Sequence, residues 1–590
     1  MNHAAPLSAP PPRASTQSRW WRVLSLSLVT ALALTACGGG SDPSDEDRAQ
    51  AAARPRNDTE AHRFLVQSTF GPSLTDIGNV KALGYDAWIN EQWMRNPGPT
   101  HLEAIRFSAS VMRTTGTRSE DIVYSWWTRA LTSDAQLRHR VAFALSEIFV
   151  VSTLTLSNAQ MVANYMDTLS AHAGGRYRDL LEAVALHPAM GMYLSHMSNR
   201  KADGKGRLPD ENFAREVMQL FSIGLYELND AGQPKLVNGK FVESYNGNDI
   251  KGLARVFTGF SWSRPASKAG VAEWKCFWRN SECTDDSQDI TPMQAYASEH
   301  EPGIKQFLGV TIPEQATADP RASLKVALDT LANHPNTAPF ISRQLIQRLV
   351  TSNPSDAYVT AITQTFRSSG GNLSEVVKAI LLHDEARRAR TSGSVADAHF
   401  GKLREPLLRL THLLRSVPHT SDRLRDGGNI PFYQSIESGD AATTLGQTPM
   451  RSPSVFNFFR PGYTPPKGTA TDAARLVAPE MQITSETSVL GYANFVADIL
   501  ESGWGEWNPK SKRRDIQFDL SGWMPQALTP EALVDAISMR LMGRTLPATT
   551  RQTAIAAITA MPSTSDKQKR QRIQAAILMV SVSPSFLIQQ

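Results

Sequence analysis

Apolar residues recur along most of the chain at the three- and four-residue spacing of an amphipathic helix, and few segments alternate as a strand does. Gly, Pro or Ser separates the helical runs. The run 177–185 stops before His187-Pro188, where the proline opens the next helix. The pattern predicts an all-α fold, a large body of many helices with long loops. The predicted helices cover residues 61–67, 77–83, 85–93, 122–131, 137–150, 159–171, 177–185, 324–333, 340–350, 357–366, 373–383, 403–414, 487–501, 530–542, 551–559 and 567–580.

Three stretches interrupt the helical pattern, at residues 229–248, 262–300 and 425–480. The first of them contains residues 235–242, where Asn238-Gly239 favours the tight turn of a small inserted β-hairpin. Loops of this length in a compact domain are usually either functional or disordered. These stretches contain no known ligand-binding motif.

The composition is that of a folded, soluble chain. Its 590 residues are 41% hydrophobic and 20% charged, which excludes a collagen, a wholly disordered chain and a polytopic membrane protein. The formal charge is +5, but three of the arginines fall in the first 36 residues, which hold no acid. The remaining balance is nearly neutral, so we predict no nucleic-acid partner.

The N-terminal segment is typical of an export signal. Its arginines precede an apolar run at residues 23–33, which is too short to span a bilayer as a permanent helix. Leu34-Thr35-Ala36-Cys37 resembles the bacterial lipobox, where the signal is cut before the cysteine and lipid is attached to its thiol. We therefore predict a lipoprotein signal at residues 1–36 and a membrane anchor through acylated Cys37. An ordinary cleaved signal with a chance cysteine is the alternative.

Residues 37–58 hold Gly, Ser, Pro and charged residues without an apolar period, which predicts a flexible tether. No aspartate follows Cys37. In a Gram-negative cell this resembles the pattern sorted to the outer membrane. We expect a protein of the cell envelope, anchored on the periplasmic or the surface face of that membrane.

Two further cysteines, Cys276 and Cys283, lie seven positions apart. In an exported chain the compartment is oxidising, so the pair predicts a local disulfide. A zinc site needs more ligands than two such cysteines, and no Cys-x-x-Cys occurs. We predict no metal and no cofactor.

Several motifs occur in order along the chain: Arg63 to Pro72, Leu137-Arg138-His139-Arg140 with Phe143, His187-Pro188-Ala189-Met190, Glu211 to Glu216, Leu253 to Gly259, and His334-Pro335 with Phe340. This series resembles one bacterial family, the domain of unknown function DUF1800, over residues 60–480. The resemblance implies an exported and predominantly helical protein, often encoded beside a second secreted family that resembles sulfatases or phosphatases, which is a candidate partner. It supplies no mechanism. Residues 481–590 are predicted to form a C-terminal helical segment packed on a body at residues 59–480.

The richest group of polar residues lies on a predicted helix from Asp210 to Ile223. Asp210 suits the N-cap, and Gly224 can end the helix. Glu211 and Arg215 share the polar face at a spacing of four. Three polar residues line the edge of the apolar stripe, namely Asn212, Glu216 and Gln219.

Glu216 is the candidate for a catalytic acid or base, together with His187 and Asp249. A carboxylate beside apolar walls has a raised pKa and can then exchange protons near neutral pH. The structural alternative pairs Glu216 with Arg255 and Glu211 with Arg215, so that these residues tie helices together. The candidate binding residues are Asn212, Arg215 and Arg255.

The same helix gives no support for a metal. Members of the family often carry Glu and His at the positions of Gln219 and Phe221, and neither residue here is a good ligand for divalent ions. A calcium loop requires a ligand spacing that is absent from the acidic run 285–289 and from His300-Glu301. We predict that these residues lie in a solvated loop.

The sequence lacks a Gly-x-Ser-x-Gly elbow, a His-Glu-x-x-His motif and a P-loop. These absences make three classes of function less favoured: a hydrolase, a zinc protease and a nucleotide-binding protein. We expect an exported, lipid-anchored envelope protein that is a binding or assembly partner of a secreted protein or of an envelope polymer. The alternative is an envelope hydrolase or transferase with a carboxylate and histidine site.

Overall fold

The computed structural model describes residues 53–112, 116–389, 395–421 and 444–590. The predicted signal, Cys37 and most of the predicted tether lie outside the described residues, as does part of the predicted loop 425–480. All of the described residues belong to one compact unit.

The fold is predominantly helical, which confirms the predicted all-α class. The first helices are α1 (Asp58–Ser68), α2 (Leu74–Leu83), α3 (Tyr85–Met94), α4 (His101–Met112), α5 (Ser119–Thr132), α6 (Gln136–Ser146), α7 (Ala159–His172), α8 (Tyr177–Ala185), α9 (Pro188–Tyr193), α10 (Asn212–Gln219), α11 (Gly247–Val256) and α12 (Glu273–Phe277). They are followed by α13 (Pro320–Asn333), α14 (Thr337–Leu349), α15 (Asp356–Ser368), α16 (Leu373–Leu382), α17 (Asp384–Arg387), α18 (Val395–Ala398), α19 (Pro406–Ser416), α20 (Ala470–Ala473), α21 (Glu486–Ser502), α22 (Pro530–Met542), α23 (Ala548–Ala560), α24 (Asp566–Ser581) and α25 (Pro584–Leu587).

The strands are short. They are β1 (Leu236–Val237), β2 (Lys240–Phe241), β3 (Phe260–Ser261), β4 (Gln294–Ala295), β5 (Lys305–Phe307), β6 (Val310–Ile312), β7 (Lys402–Leu403), β8 (His419–Ser421), β9 (Trp504–Asn508), β10 (Arg513–Phe518) and β11 (Ile588–Gln589). Among the described strands, β8, β10 and β9 form a three-stranded antiparallel sheet, and the others pair in twos.

The predicted β-hairpin is confirmed at β1 and β2. Asn238 and Gly239 connect the strands with φ angles of 51° and 73°, the left-handed conformation that a tight hairpin turn requires. The β9–β10 pair was not predicted, because burial along β10 does not alternate: Asp515 and Ile516 are consecutive and both buried.

Several helix ends follow the local sequence. Helices α8 and α22 have the predicted bounds, and Pro188 opens α9 as predicted, with His187 at the N-cap. The prediction of a helix over 137–150 is wrong at its end, because α6 stops at Ser146. There the N–H groups of Ile148 and Phe149 both donate to the carbonyl of Leu145 in a tighter turn.

The C-terminal segment packs on the rest of the body. Strand β11 pairs with β7, and β10 pairs with β8. The hydroxyl of Thr59 on α1 donates to the carbonyl of Gly543, just after α22. The predicted boundary at residue 480 stays a prediction, although both sides of it share these contacts.

Helix α11 lies directly against β5. A Cβ atom added at Gly252 would lie 1.6 Å from the backbone oxygen of Gln306, so only glycine permits this approach. The contact fixes α11 beside α10, which carries the predicted site residues.

Within the described residues, no helix is both long and apolar enough to cross a membrane. The same residues contain no group of three or more His, Cys, Asp or Glu side chains arranged to hold a metal ion.

Candidate functional site

The helix that carries Glu216 is shorter than predicted. Helix α10 covers Asn212–Gln219, and Glu211 takes the N-cap position that was predicted for Asp210. Asp210 still helps the helix to begin, because its Oδ1 accepts the N–H of Asn212 at 2.8 Å. After Gln219 the chain leaves the helix in wider turns, and Ile223 and Gly224 both donate to the carbonyl of Met218.

Glu216 is buried, with 8% of its surface exposed. Within the described chain its Oε2 has no hydrogen-bond partner and is shielded from solvent. Burial raises the pKa of its carboxyl group, and the nearby charge of Arg215 lowers it only in part. Burial raises the pKa of the nearby Tyr245 phenol, and the charge of Glu216 raises it further.

His187 has a structural position. Its Nδ1 accepts the N–H of Ala189 at 3.1 Å and caps α9, while its Nε2 lies 3.0 Å from Oδ1 of Asn164. Its ring also meets the Tyr165 ring edge-on. Burial lowers the pKa of His187 to about 3, so the imidazole is neutral at physiological pH.

Asp249 caps α11. Its Oδ2 accepts the N–H of Asn246 at 2.8 Å, and its Oδ1 accepts the N–H of Leu308 at 2.7 Å. Both carboxylate oxygens therefore hold backbone groups together. In the described chain no hydrogen bond or ion pair joins His187, Glu216 and Asp249 to one another.

The candidate binding residues have separate partners. Arg215 lies 3.6 Å from Glu211, as their spacing predicts. Arg255 donates to the carbonyl of Ile304 at 2.9 Å and makes no ion pair with Glu216 among the described residues. Asn212 is exposed at the start of α10.

The largest concave site among those described adjoins the C-terminal end of α10. This α14 cleft has a volume of about 470 Å³ and lies between α10, α14 and the segment around residues 456–477. Its apolar walls include Leu220, Leu225, Leu228, Phe340, Phe456 and Val477. Its polar lining comprises Gln219, Arg343, Gln344, Gln347 and Arg460.

Two guanidinium groups give the cleft its charge. Arg343 is half-buried and makes no hydrogen bond or ion pair within the described chain, and burial lowers its pKa. Arg460 is exposed and lies over the Phe456 ring, 4.3 Å from its centre. No carboxylate side chain belongs to the described lining. The lining side chains therefore carry a net positive charge, which the nearby carboxylate of Asp356 partly offsets at Arg343.

Two buried glutamine amides of the cleft differ in their hydrogen bonding. Gln347 donates through Nε2 to the carbonyls of Ser352 and Pro461, at 3.0 and 3.3 Å. Gln344 is 8% exposed, and its Nε2 is buried without a hydrogen-bond partner in the described chain. An unpaired buried amide costs free energy that a bound acceptor would recover.

An exposed apolar hairpin stands beside the cleft. Tyr226 lines the cleft and contacts Phe241 of β2, with ring centres 5.0 Å apart. Leu236 and Val237 of β1 are about as exposed as Phe241. The hairpin extends the apolar surface beyond the cleft.

The C-terminal end of α14 is held by buried cations. Lys402 donates to the carbonyls of Gln347 and Arg348, both at 3.0 Å, and Arg140 donates to the carbonyl of Arg348 at 2.6 Å. Cations at this end satisfy carbonyls that the helix leaves unpaired and complement its dipole. Two ion pairs between fully buried side chains complete the arrangement: Lys402–Glu480 at 2.9 Å and Arg348–Glu147 at 3.4 Å.

A third buried acid belongs to the same network. Glu405 accepts a hydrogen bond from Gln447 at 2.7 Å. Burial, together with the charge of Glu147, raises the pKa of Glu405, and the nearby Lys402 and Arg140 oppose this shift. The network fixes one wall of the cleft from behind.

The sequence missed both the cleft and this network. Arg140 belongs to a recognised motif, but its hydrogen-bond partner, the carbonyl of Arg348, lies 208 positions further along the chain, and no spacing predicts such a contact. Phe340 was recognised only as part of the motif with His334-Pro335. The four-residue spacing of Phe340 and Gln344, which both line the cleft, was a usable signal that they share one helix face.

The predicted disulfide is confirmed. Cys276 and Cys283 are bonded, with their Cα atoms 5.0 Å apart, and both lie in a small separate cluster with Phe277 and Tyr296.

No curated protein and no solved structure matches this chain. One family model matches residues 63–588, which extends past the predicted 60–480 and takes in the C-terminal segment. That model describes proteins of unknown function. Because it covers most of the sequence, the chain belongs to the DUF1800 family.

Proposed function

We propose that this protein is an exported, lipid-anchored protein of the cell envelope that binds a secreted protein, and that the α14 cleft is its binding site. The lipobox-like sequence ending at Cys37 supports the anchor. The local disulfide between Cys276 and Cys283 supports an oxidising compartment.

The cleft itself carries the proposal. Its volume and mostly apolar walls suit several apolar side chains of a partner, and Arg343 and Arg460 supply two positive charges without a lining carboxylate. The buried amide of Gln344 offers an unused hydrogen bond. The fitting ligand is a protein segment with apolar side chains and at least one carboxylate.

The β1–β2 hairpin beside the cleft favours a macromolecule over a small molecule as the ligand. Leu236, Val237 and Phe241 each expose more than half of their surface next to Tyr226. A surface of this kind is typical of protein interaction sites. An envelope polymer is the competing occupant, and a glycan would call for more polar groups than these walls provide.

The test is an affinity purification of the full lipidated chain from detergent-solubilised envelope. Three forms are compared: wild type, Arg460→Gln in the cleft, and Arg451→Gln, which removes an exposed guanidinium outside the cleft lining. Circular dichroism checks that all three fold alike. A co-encoded sulfatase-like or phosphatase-like protein is the first candidate to measure.

We expect the captured protein, once purified, to bind wild type and Arg451→Gln equally and Arg460→Gln about tenfold more weakly. A synthetic acidic and apolar segment of that protein should compete. Equal binding to all three forms would refute the cleft as the site. A glycan captured in its place, with the same dependence on Arg460, would refute a protein partner.

The alternative function, an envelope hydrolase or transferase using Glu216, His187 and Asp249, is supported by Glu216 alone. Its carboxyl group is buried, has a raised pKa and leaves one oxygen unpaired. Both nitrogens of His187 and both oxygens of Asp249 are occupied by neighbours. If Glu216→Gln, folded as wild type, accumulates a trapped small molecule or polymer fragment, turnover is indicated and the enzyme hypothesis gains.

A further inference from the structure

A second and smaller concave site lies where α1, α19, the end of α22 and α25 meet. Its volume is about 50 Å³, which suits an ion or a compact group and not a chain segment. We name it the arginine pocket after three lining residues. The residues used below are His62, Arg63, Arg404, His412, Arg544 and Phe586.

Arg404 forms the floor of the arginine pocket and is 4% exposed. Its guanidinium donates to His412 Nδ1 and to the carbonyl of Phe586, and lies over the Phe586 ring. Its Nε is buried without a partner in the described chain. Burial lowers the pKa of Arg404 to about 9, because no carboxylate lies close enough to compensate.

Two imidazoles stand beside this guanidinium. His62 and His412 are 4% and 2% exposed, with ring centres 5.3 Å apart. The Nε2 atom of each ring is buried and makes no hydrogen bond of good geometry in the described chain, although both rings approach the backbone of Leu541. Burial and the neighbouring arginines lower both pKa values, that of His62 to about 3. Neutral rings can donate to an anion without adding buried charge.

Two more arginines form the rim. Arg63 is half-buried and uses Nη1 to donate to the carbonyl of Arg387 at 2.9 Å. Arg544 is exposed and uses Nη2 to donate to the side chain of Gln590 at 3.0 Å. Each guanidinium has five N–H donors, so most donors of the rim are unused by these bonds.

The sign of the charge restricts the ligand. Three arginines converge, and no carboxylate side chain belongs to the described lining. A metal cation would be repelled. An apolar ligand would leave the unpaired nitrogens of the floor buried and unsatisfied. A compact anion with several acceptor oxygens would pair with the floor and the rim together, since a guanidinium matches such groups in a bidentate manner.

We propose that the arginine pocket binds a tetrahedral oxyanion, a phosphate or sulfate group, through Arg404 and the two imidazoles of the floor and Arg63 and Arg544 of the rim. The anion joins α1 to the segments around α22 and α25. None of these residues lines the α14 cleft, so the inference stands apart from the proposed function.

The test measures binding of inorganic phosphate and inorganic sulfate to the full chain by calorimetry, at an ionic strength held constant with sodium chloride. Arg544→Gln is the informative variant because an exposed residue can be replaced without disturbing the fold. Arg451→Gln is the matched control, since it removes an exposed guanidinium outside the arginine pocket. Circular dichroism compares the folds.

We expect saturable binding to wild type and to Arg451→Gln, and binding about ten- to a hundredfold weaker to Arg544→Gln, because one charge-assisted contact is lost. The phosphate could also come from a lipid. Vesicles with phosphatidylglycerol, compared with phosphatidylcholine alone, distinguish that source: retention that depends on Arg544 assigns the pocket to a lipid headgroup.

Two results would overturn the proposal. One is the absence of binding to both the free anions and the phosphatidylglycerol vesicles. The other is binding that Arg544→Gln and Arg451→Gln weaken equally, which is the behaviour of a general surface charge.

Discussion

His187 offers the sharpest test of whether a candidate catalytic residue is structural. In the folded chain its Nδ1 must be unprotonated to accept the N–H of Ala189, and its Nε2–H donates to Asn164. We consider His187→Asn, because asparagine is a good N-cap residue and does not titrate. The variant keeps an acceptor at the start of α9 and removes the ionisable ring.

The magnitude follows from the shift in pKa, from 6.5 to about 3 on folding. A lowered histidine pKa means that the unfolded chain binds the proton first, so stability is complete above pH 6.5 and declines as the pH falls toward 3. At pH 5 the unfolded ring is mostly protonated and the folded ring is not. The wild type therefore loses about 2 kcal/mol of unfolding free energy that His187→Asn does not lose.

The assay is urea unfolding of both proteins at pH 7.5 and pH 5. At pH 7.5 we expect His187→Asn to be about 1 kcal/mol less stable, because the hydrogen bond to Asn164 is lost. At pH 5 this deficit should disappear or reverse. His172→Asn is the comparison: burial also lowers the pKa of His172, but the residue is only half-buried, so we expect a change of the same sign and smaller size. An equal deficit at both pH values for His187→Asn would refute the buried, neutral capping role.

Three further results are expected. Gly252→Ala should destabilise the protein by at least about 3 kcal/mol, because the new methyl group would overlap the backbone of Gln306. Gly247→Ala on the same helix places its methyl group in open space and should cost under about 1 kcal/mol. Thermal unfolding compares the two variants. Lys402→Met should cost about 3–5 kcal/mol by leaving Glu480 buried and unpaired, and the double variant Lys402→Met, Glu480→Met should recover most of it, as denaturant unfolding would show. Serine at both disulfide cysteines should lower the stability of their loop by about 2–3 kcal/mol, measured by hydrogen exchange.

Local patterns in the sequence predicted what local interactions determine. The bounds of α8, the proline that opens α9 and the hairpin turn at Asn238-Gly239 all depend on residues within one or two turns. Helix α4 was not predicted, because the only large apolar side chains that it is shown to bury are Leu102 and Ile105. Its stability comes from packing against α5 and α7 rather than from its own pattern.

The candidate site was less predictable. The sequence placed Glu216 at the edge of an apolar stripe, and the residue is indeed buried there. It could not predict that the ring of His187 meets the side chain of Asn164, or that Asp249 accepts the backbone N–H of Leu308. The α14 cleft depends on contacts between residues 219 and 477, and such distances along the chain are set by the packing of whole helices.

The contact between α1 and the end of α22 has a consequence for the order of folding. The hydroxyl of Thr59 donates to the carbonyl of Gly543, which lies 484 positions later in the sequence. Strand β7 likewise pairs with β11, which follows it by nearly 190 residues. Helix α1 is synthesised before the other described helices, and it can complete its packing only after almost all of the chain has followed. Closing so large a loop is entropically costly and slow. We expect α1 to acquire protection from hydrogen exchange late in refolding, and a chain with this topology to remain unfolded until its last helices are synthesised, which would suit the export that we propose.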